Sequence, residues 1–290
     1  MTEVLGRTNQ AFPRLWWALR VPHVPQEGWR DQLVGAALET GAPIDISTSP
    51  GLWGGALRGR EASILARIGS TLDSAQDSDH AANLIQAEIL QTLCAVGREQ
   101  IDFLVLRVKR RREEFQIEGA LQALEMAKQD GHARFLGLSA EGSGLGVLST
   151  WQFHDAFEIL MVPRNPIHSE PYQTLQPVAR ERRVGVVTTQ PFHWGGDVPI
   201  PEFLPAGSDV PGAWLAHLAQ DHPVLLGVRT PNEIAAAKEA LKAPPPVLSE
   251  TDIEQLVADI RSGSTWARLA SDPRPWVQLA AQRRLDSLVV

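Results

Sequence analysis

Short apolar runs alternate with longer stretches of helical period along most of this chain, the pattern of a parallel sheet covered by helices. Candidate strands are Arg14–Arg20, Pro43–Ile46, Ser63–Ile68, Ile101–Arg107, Ala133–Leu138, Glu158–Val162, Val184–Thr189 and Pro223–Gly227. Helical candidates between them are Gly28–Thr40, Ala81–Gly97, Ile117–Gln129, Leu145–His154, Thr174–Arg182, Ala213–Gln220 and Asn232–Leu241. One helix is missing from this alternation. Once the stretch STSPGLW is set aside as a loop, only GGALRGREA remains between the second and third strands, too little for a full crossover. Either the third strand is misassigned or one helix of the outer ring has been deleted. Ser70–His80, rich in Ser, Asp and Gln, reads as an exposed loop.

Eight strand–helix steps within 290 residues favour a closed (β/α)8 barrel over an open doubly wound sheet. No GxGxxG sits at a strand-to-helix turn; the pairs Gly54–Gly55 and Gly195–Gly196 are expected in loops at the barrel's C-terminal mouth. The chain reads as one domain, residues 1–290, with a barrel over about 12–242. A Pro-rich connector, APPPVLS, then leads to a helical extension over about 247–290, with helices at Glu250–Ile260 and Pro275–Leu285.

A net charge of -7 speaks against a nucleic-acid surface, which needs clustered Lys and Arg. The one basic run, Lys109–Arg112, is followed at once by Glu113 and Glu114 and reads as a solvated loop or helix entry. Cys94 is the sole cysteine, which excludes an intrachain disulfide and a Cys-based zinc site and points to a reducing compartment. No leader and no membrane-spanning stretch is expected, so the sequence reading places the chain in the cytoplasm. The remaining histidines, His23, His80, His132, His154 and His168, lack partners at ligand spacing, so no metal site is expected. His217 and His222 flank the eighth strand's N-terminal side and read as structural.

Seven segments carry a resemblance in order: VLGRTNQAFPRL, ETGAPIDISTSPGLWGG, IDFLVLR, IEGALQALEMAKQDGHARFLGLSAEG, FEILMVPRNP, ARERRVGVVTTQPFHWGG and HPVLLGVRTPNEIAAAKEAL. Together they resemble the aldo-keto reductase superfamily from Val4 to about Leu241. The resemblance implies a barrel whose floor is plugged by an N-terminal β-hairpin and whose tail folds over the mouth. It also implies NADPH-dependent carbonyl reduction, with a Tyr as general acid, an Asp–Lys pair that tunes it and a His that orients the carbonyl.

Carried over residue by residue, that chemistry mostly fails. The Tyr position falls on Trp53, the Lys on Arg67 and the His on Arg107, while the Asp falls on Asp45, the preferred reading, or on Ser47. An indole has no acidic hydroxyl, and a guanidinium stays protonated. The only tyrosine, Tyr172, follows strand six. NADP is the cofactor the resemblance implies, and its site is eroded. A Ser-Asn pair becomes Ser139–Ala140, a Gln becomes Met161 and a stacking aromatic becomes Thr189. Glu233 stands where a phosphate would be gripped, with Arg229 as partial compensation. Ser139, Gln190, Arg229 and Asn232 are the residues left for a cofactor.

Two readings of Asp45, Arg67 and Arg107 stay open: a buried salt-bridge network in place of an unneeded active site, or a pocket for an anionic small molecule. Arg164, at the end of strand six, is a candidate to join the arginine cluster, and His193 and Trp194 are candidate ligand contacts after strand seven. Trp16 and Trp17 are adjacent on the first strand, so one faces the interior and the other the helical shell. Trp266 and Trp276 lie in the tail and either cap the pocket or form an interface. The leading expectation is a reductase-like barrel that has lost its chemistry and serves as a regulatory, structural or ligand-binding subunit, with a protein partner or a second copy of itself. The rival is an oxidoreductase or another barrel enzyme that holds an anionic substrate on the arginines.

Overall fold

A computed structural model describes residues 2–22, 24–109, 111–142, 144–151, 154–165, 169–191 and 210–242, with scattered positions between 251 and 286. The connector at 243–249, most of the C-terminal extension, Trp276, Gly195 and Gly196 lie outside the described residues.

Strands β1 (Thr2–Val4) and β2 (Ala11–Pro13) pair antiparallel as a hairpin. Eight strands then close a parallel barrel: β3 (Leu15–Leu19), β4 (Ile44–Asp45), β5 (Ile64–Ile68), β6 (Ile101–Val108), β7 (Ala133–Ala140), β8 (Ile159–Pro163), β9 (Gly185–Thr189) and β10 (Val224–Val228), with β10 beside β3. All eight match the sequence expectation. The helices are α1 (Trp29–Leu38), α2 (Pro50–Leu57), α3 (Ser78–Val96), α4 (Glu114–Gln129), α5 (Gly144–Trp151), α6 (Glu170–Glu181), α7 (Val210–Asp221) and α8 (Pro231–Ala240).

The barrel interior is filled, not hollow. Trp16, Leu65, Phe103, Val105, Phe135, Ile159, Met161, Val187 and Leu225 form one inner cluster, and Trp17 packs in the outer cluster under the helices. The two tryptophans therefore divide between faces as strand alternation requires. The hairpin seals the floor: Phe12 meets Phe103 and Trp16 edge-on, with ring centres 5.1 Å and 5.8 Å apart. Truncating such a core aromatic costs about 3–5 kcal/mol. The hairpin's close seat needs glycine at position 6, where φ is +49° and an added Cβ would stand 2.6 Å from Gly185 Cα.

The helix expected to be missing is present. STSPGLW is not a loop; α2 starts at Pro50 and runs through the whole of PGLWGGAL. Pro at the first position loses no hydrogen bond, because the first amides of a helix have no partner in it. Its glycines have poor helix propensity, so packing must hold it. Trp53 stands edge-on to Trp29 at 5.6 Å, and Gly54 lets α2 touch α3, since a Cβ there would lie 2.7 Å from the Ala95 carbonyl carbon. Gly54 and Gly55 thus belong to this helix and not to a mouth loop. The stretch Ser70–His80 is also more ordered than expected: Leu72 is buried, and α3 begins at Ser78, capped by Asp77. Arg112 likewise departs from the solvated reading, being buried and ion-paired to Asp73.

Candidate site at the barrel mouth

Alternation along the strands decides which side chains reach the mouth. On β5 the inner residue Leu65 is followed by Arg67, and on β6 Phe103 and Val105 are followed by Arg107. On β7 the same parity runs Phe135, Gly137, Ser139 and, one step past the strand, Glu141. The Glu141 amide donates to Val108 O at 2.9 Å, which extends the β6–β7 ladder and fixes where its side chain starts. Asp45 ends β4 and is almost fully buried.

These four residues form one ion network. Arg67 Nη2 lies 2.9 Å from Asp45 Oδ2, and its Nη1 donates to Glu141 Oε1 at 3.1 Å. Arg107 grips the same carboxylate with two prongs, Nε to Oε1 at 2.9 Å and Nη2 to Oε2 at 3.0 Å. Such forked, charge-assisted bonds are the strong ones. Two guanidiniums and two carboxylates leave the cluster neutral. Exposure rises outward, from 1% for the Asp45 side chain through 12% for Arg67 and 13% for Glu141 to 26% for Arg107.

Asp45 and Ser47, the two candidates for the Asp position, touch each other and Arg67. Asp45 makes the ion pair with Arg67, while Ser47 supports it by donating its amide and hydroxyl to Asp45 Oδ1. Ser47 Oγ in turn accepts the Arg67 amide at 2.7 Å. Glu141 lies inside the matched segment but was not a sequence candidate, because the carried-over pair Ser139–Ala140 ends one residue before it. Continuing the period of two from Phe135 would have found it.

Trp53 does not take part. It is fully buried in the outer cluster between α2 and α1, and its indole N–H has no hydrogen-bond partner among the described residues. Tyr172 is also elsewhere, on α6, hydrogen-bonded to His222 at 3.1 Å. Arg164 does not join the arginine cluster: it pairs with Asp221 at 2.8 Å and lies over the Tyr172 ring at 4.3 Å. A strand-end arginine can turn outward when a carboxylate waits in the helical layer, and nothing local in the sequence reveals that. His193 and Trp194 lie outside the described residues. His217 stacks on Trp214, and burial holds His222 down at about 4, against the pull of Asp221. Both histidines sit in helical packing.

At the expected cofactor positions, Ser139 is buried at the mouth end of β7, in register with Arg107 and Met161. Gln190 is exposed just after β9 with φ of +53°, and Asn232 is exposed in the first turn of α8. Helix α8 opens with a capping box in which Thr230 Oγ1 accepts the Glu233 amide at 3.3 Å. Glu233, itself buried, turns its carboxylate back onto the amides of Arg229 and Thr230. The Thr230 amide is one of the groups a helix N-terminus offers an anion, and the Glu233 carboxylate beside it would repel the phosphate of NADP, so the described residues fit that phosphate poorly at this point. Among the described residues no group of three or more His, Cys, Asp or Glu could hold a metal ion, and no helix is long and apolar enough to cross a membrane.

The sequence matches no protein-family model and no curated protein. Its structure is similar to solved aldo-keto reductases. One from Bacillus halodurans, in its holo form, superposes with a TM-score of 0.68 at 18% identity over 88% of this chain and 95% of that one. One from Brucella melitensis gives 0.65 at 15% identity, over 88% of this chain and 97% of that one. A third, from a Medee basin deep-sea metagenome library, gives 0.64 at 14% identity over 89% and 94%.

Proposed function

We propose that this barrel, which has the fold of the aldo-keto reductases, does not reduce carbonyls with NADPH and serves instead as a ligand-binding or regulatory subunit. The observation that carries the reading is that no tyrosine hydroxyl stands beside the Asp45–Arg67 pair: the only tyrosine of the chain, Tyr172, is bonded to His222 in the helical layer. Trp53 is buried in the helical layer, and the arginines are occupied by Asp45 and Glu141. A reductase needs an acid within hydrogen-bond reach of the carbonyl oxygen, and guanidinium does not release its proton near neutral pH. The Glu233 carboxylate turned onto the start of α8 supports the same reading for the cofactor.

The chain carries nine tryptophans, so an NADPH titration followed by their fluorescence, with carbonyl turnover read on the same samples, tests the proposal. No saturable quenching and no NADPH consumption are expected. Tight binding with turnover would end it. A subunit role further predicts that the protein purifies with a partner or as an oligomer. A cytoplasmic location is part of the same proposal, supported by the single cysteine, and a fractionation experiment tests it.

A second reading, an enzyme acting on an anionic small molecule, is favoured by one feature. Arg107 is the most exposed member of the network, and its Nη1 has no partner among the described residues. Turnover of a carboxylate substrate without NADPH would select this reading over the first.

A further inference from the structure

We infer that Glu141 is a built-in occupant of a carboxylate-binding site, and that a small ligand carboxylate takes its place between Arg67 and Arg107. Glu141 is held as a bound carboxylate would be, with Oε1 taking one N–H from each guanidinium and Oε2 taking a second from Arg107. Its own chain attachment is one-sided. It stands on the segment between β7 and α5, and rotation of its side chain alone removes the carboxylate while its backbone stays in the ladder through Val108 O. The donors stay behind, because Arg67 is anchored by Asp45 at 2.9 Å, and Asp45 by Ser47.

One further donor points to a larger ligand than a glutamate side chain: Arg107 Nη1 has no protein acceptor among the described residues. A ligand with a second oxygen-bearing group beside its carboxylate could engage Arg107 Nη1 at the more exposed end of the network. A planar carboxylate matches the fork that Glu141 already fills; a tetrahedral phosphate matches it less well. The chemical class is therefore a small carboxylate carrying a second acceptor, such as a dicarboxylate or a hydroxy acid. Because the ligand competes with Glu141, the native site binds with an affinity lowered by the fraction of molecules in which Glu141 has swung away.

The inference rests on the ligand-binding reading above, and NADPH turnover measured on the same proteins judges that reading separately. Malonate and inorganic phosphate are the probes, titrated by calorimetry into the full-length protein at constant ionic strength. The wild type is expected to bind malonate weakly, Glu141→Ala about tenfold or more tightly, and the double variant Glu141→Ala/Arg107→Leu not at all. Glu141→Gln, which keeps the side chain's size, guards against a folding defect in the alanine variant and is expected to show a smaller gain in the same direction. Equal malonate affinity in wild type and Glu141→Ala, or binding that survives loss of Arg107, overturns the inference. Phosphate binding Glu141→Ala as tightly as malonate overturns its choice of carboxylate.

Discussion

Replacing Asp45 with Asn tests whether the mouth is an ion network or four independent side chains. The substitution removes one charge and little volume, and Asn keeps an oxygen for the Ser47 amide and hydroxyl that now reach Asp45 Oδ1. What it loses is the partner of Arg67, and the new amide N–H would face the donors of that guanidinium. Breaking a buried pair costs about 3–5 kcal/mol. Arg67 keeps Glu141 at 3.1 Å and is 12% exposed, so a discounted cost of about 2–3 kcal/mol is appropriate. With an unfolding entropy of about 2.1 cal/mol/K per residue, the 290-residue chain would melt about 3–5 °C lower. Scanning calorimetry measures this directly. Arg67→Met should cost a similar amount, and the double variant should cost less than the sum of the two by at least about 1 kcal/mol. A shift under about 1 °C for Asp45→Asn, or strictly additive effects, would refute the network.

On the rim, Glu88 accepts bonds from the amides and hydroxyls of Gly69, Ser70 and Thr71 just after β5. Burial works to raise its pKa, but the bonds from Thr71, Gly69 and Ser70 outweigh it and leave the group below the usual carboxylate range. Its contribution is therefore complete above the unfolded value of 4.5 and lost as pH falls through the lower folded value. Glu88→Gln should cost about 2–3 kcal/mol at pH 7 in urea unfolding and much less at acid pH; an equal cost at both would contradict this. His222 acts in the same direction over a higher window: burial first, then the charges of Arg164 and Arg14, hold it at about 4 against Asp221, below its unfolded 6.5. The unfolded chain takes up that proton first, so stability should fall as pH drops from 6.5 toward 4. His222→Gln should flatten that slope, and an unchanged slope would count against it. Gly54→Val should destabilise by about 1–3 kcal/mol by driving α2 off α3, which a lowered urea midpoint would record. Arg107→His should not restore carbonyl reduction, and NADPH-dependent turnover in that variant would refute the account of Trp53.

The barrel was legible because strands buried on both faces become continuous apolar runs that composition alone marks. Helix α2 was not. PGLWGGAL carries Pro50, Gly51, Gly54 and Gly55, which read locally as a turn, and its stability comes from Trp29 and α3, contacts that lie outside the window. The same distinction runs through the site. Arg67 and Arg107 announce themselves as charges that end apolar strands, whereas their partner Glu141 looks like the first residue of a loop. Arg164 shows the converse failure. It has the same strand-end position, but its carboxylate, Asp221, is 57 residues away in the helical layer and turns it outward.

Arg107 and Glu141 are best regarded as one feature. A guanidinium at the inner end of β6 needs an acid partner, because an uncompensated charge removed from water costs several kcal/mol. Glu141 answers it with two bonds while also neutralising Arg67. Changing Arg107 alone would therefore leave Glu141 held by Arg67 only, at 3.1 Å. Changing Trp53 to Tyr would place a hydroxyl in the packing between α1 and α2, where Trp29 stands 5.6 Å away, and not beside Asp45. On the proposed reading, reductase chemistry would need at least two coordinated changes, one in the mouth and one in the path of α2. A carboxylate ligand needs only that Glu141 move.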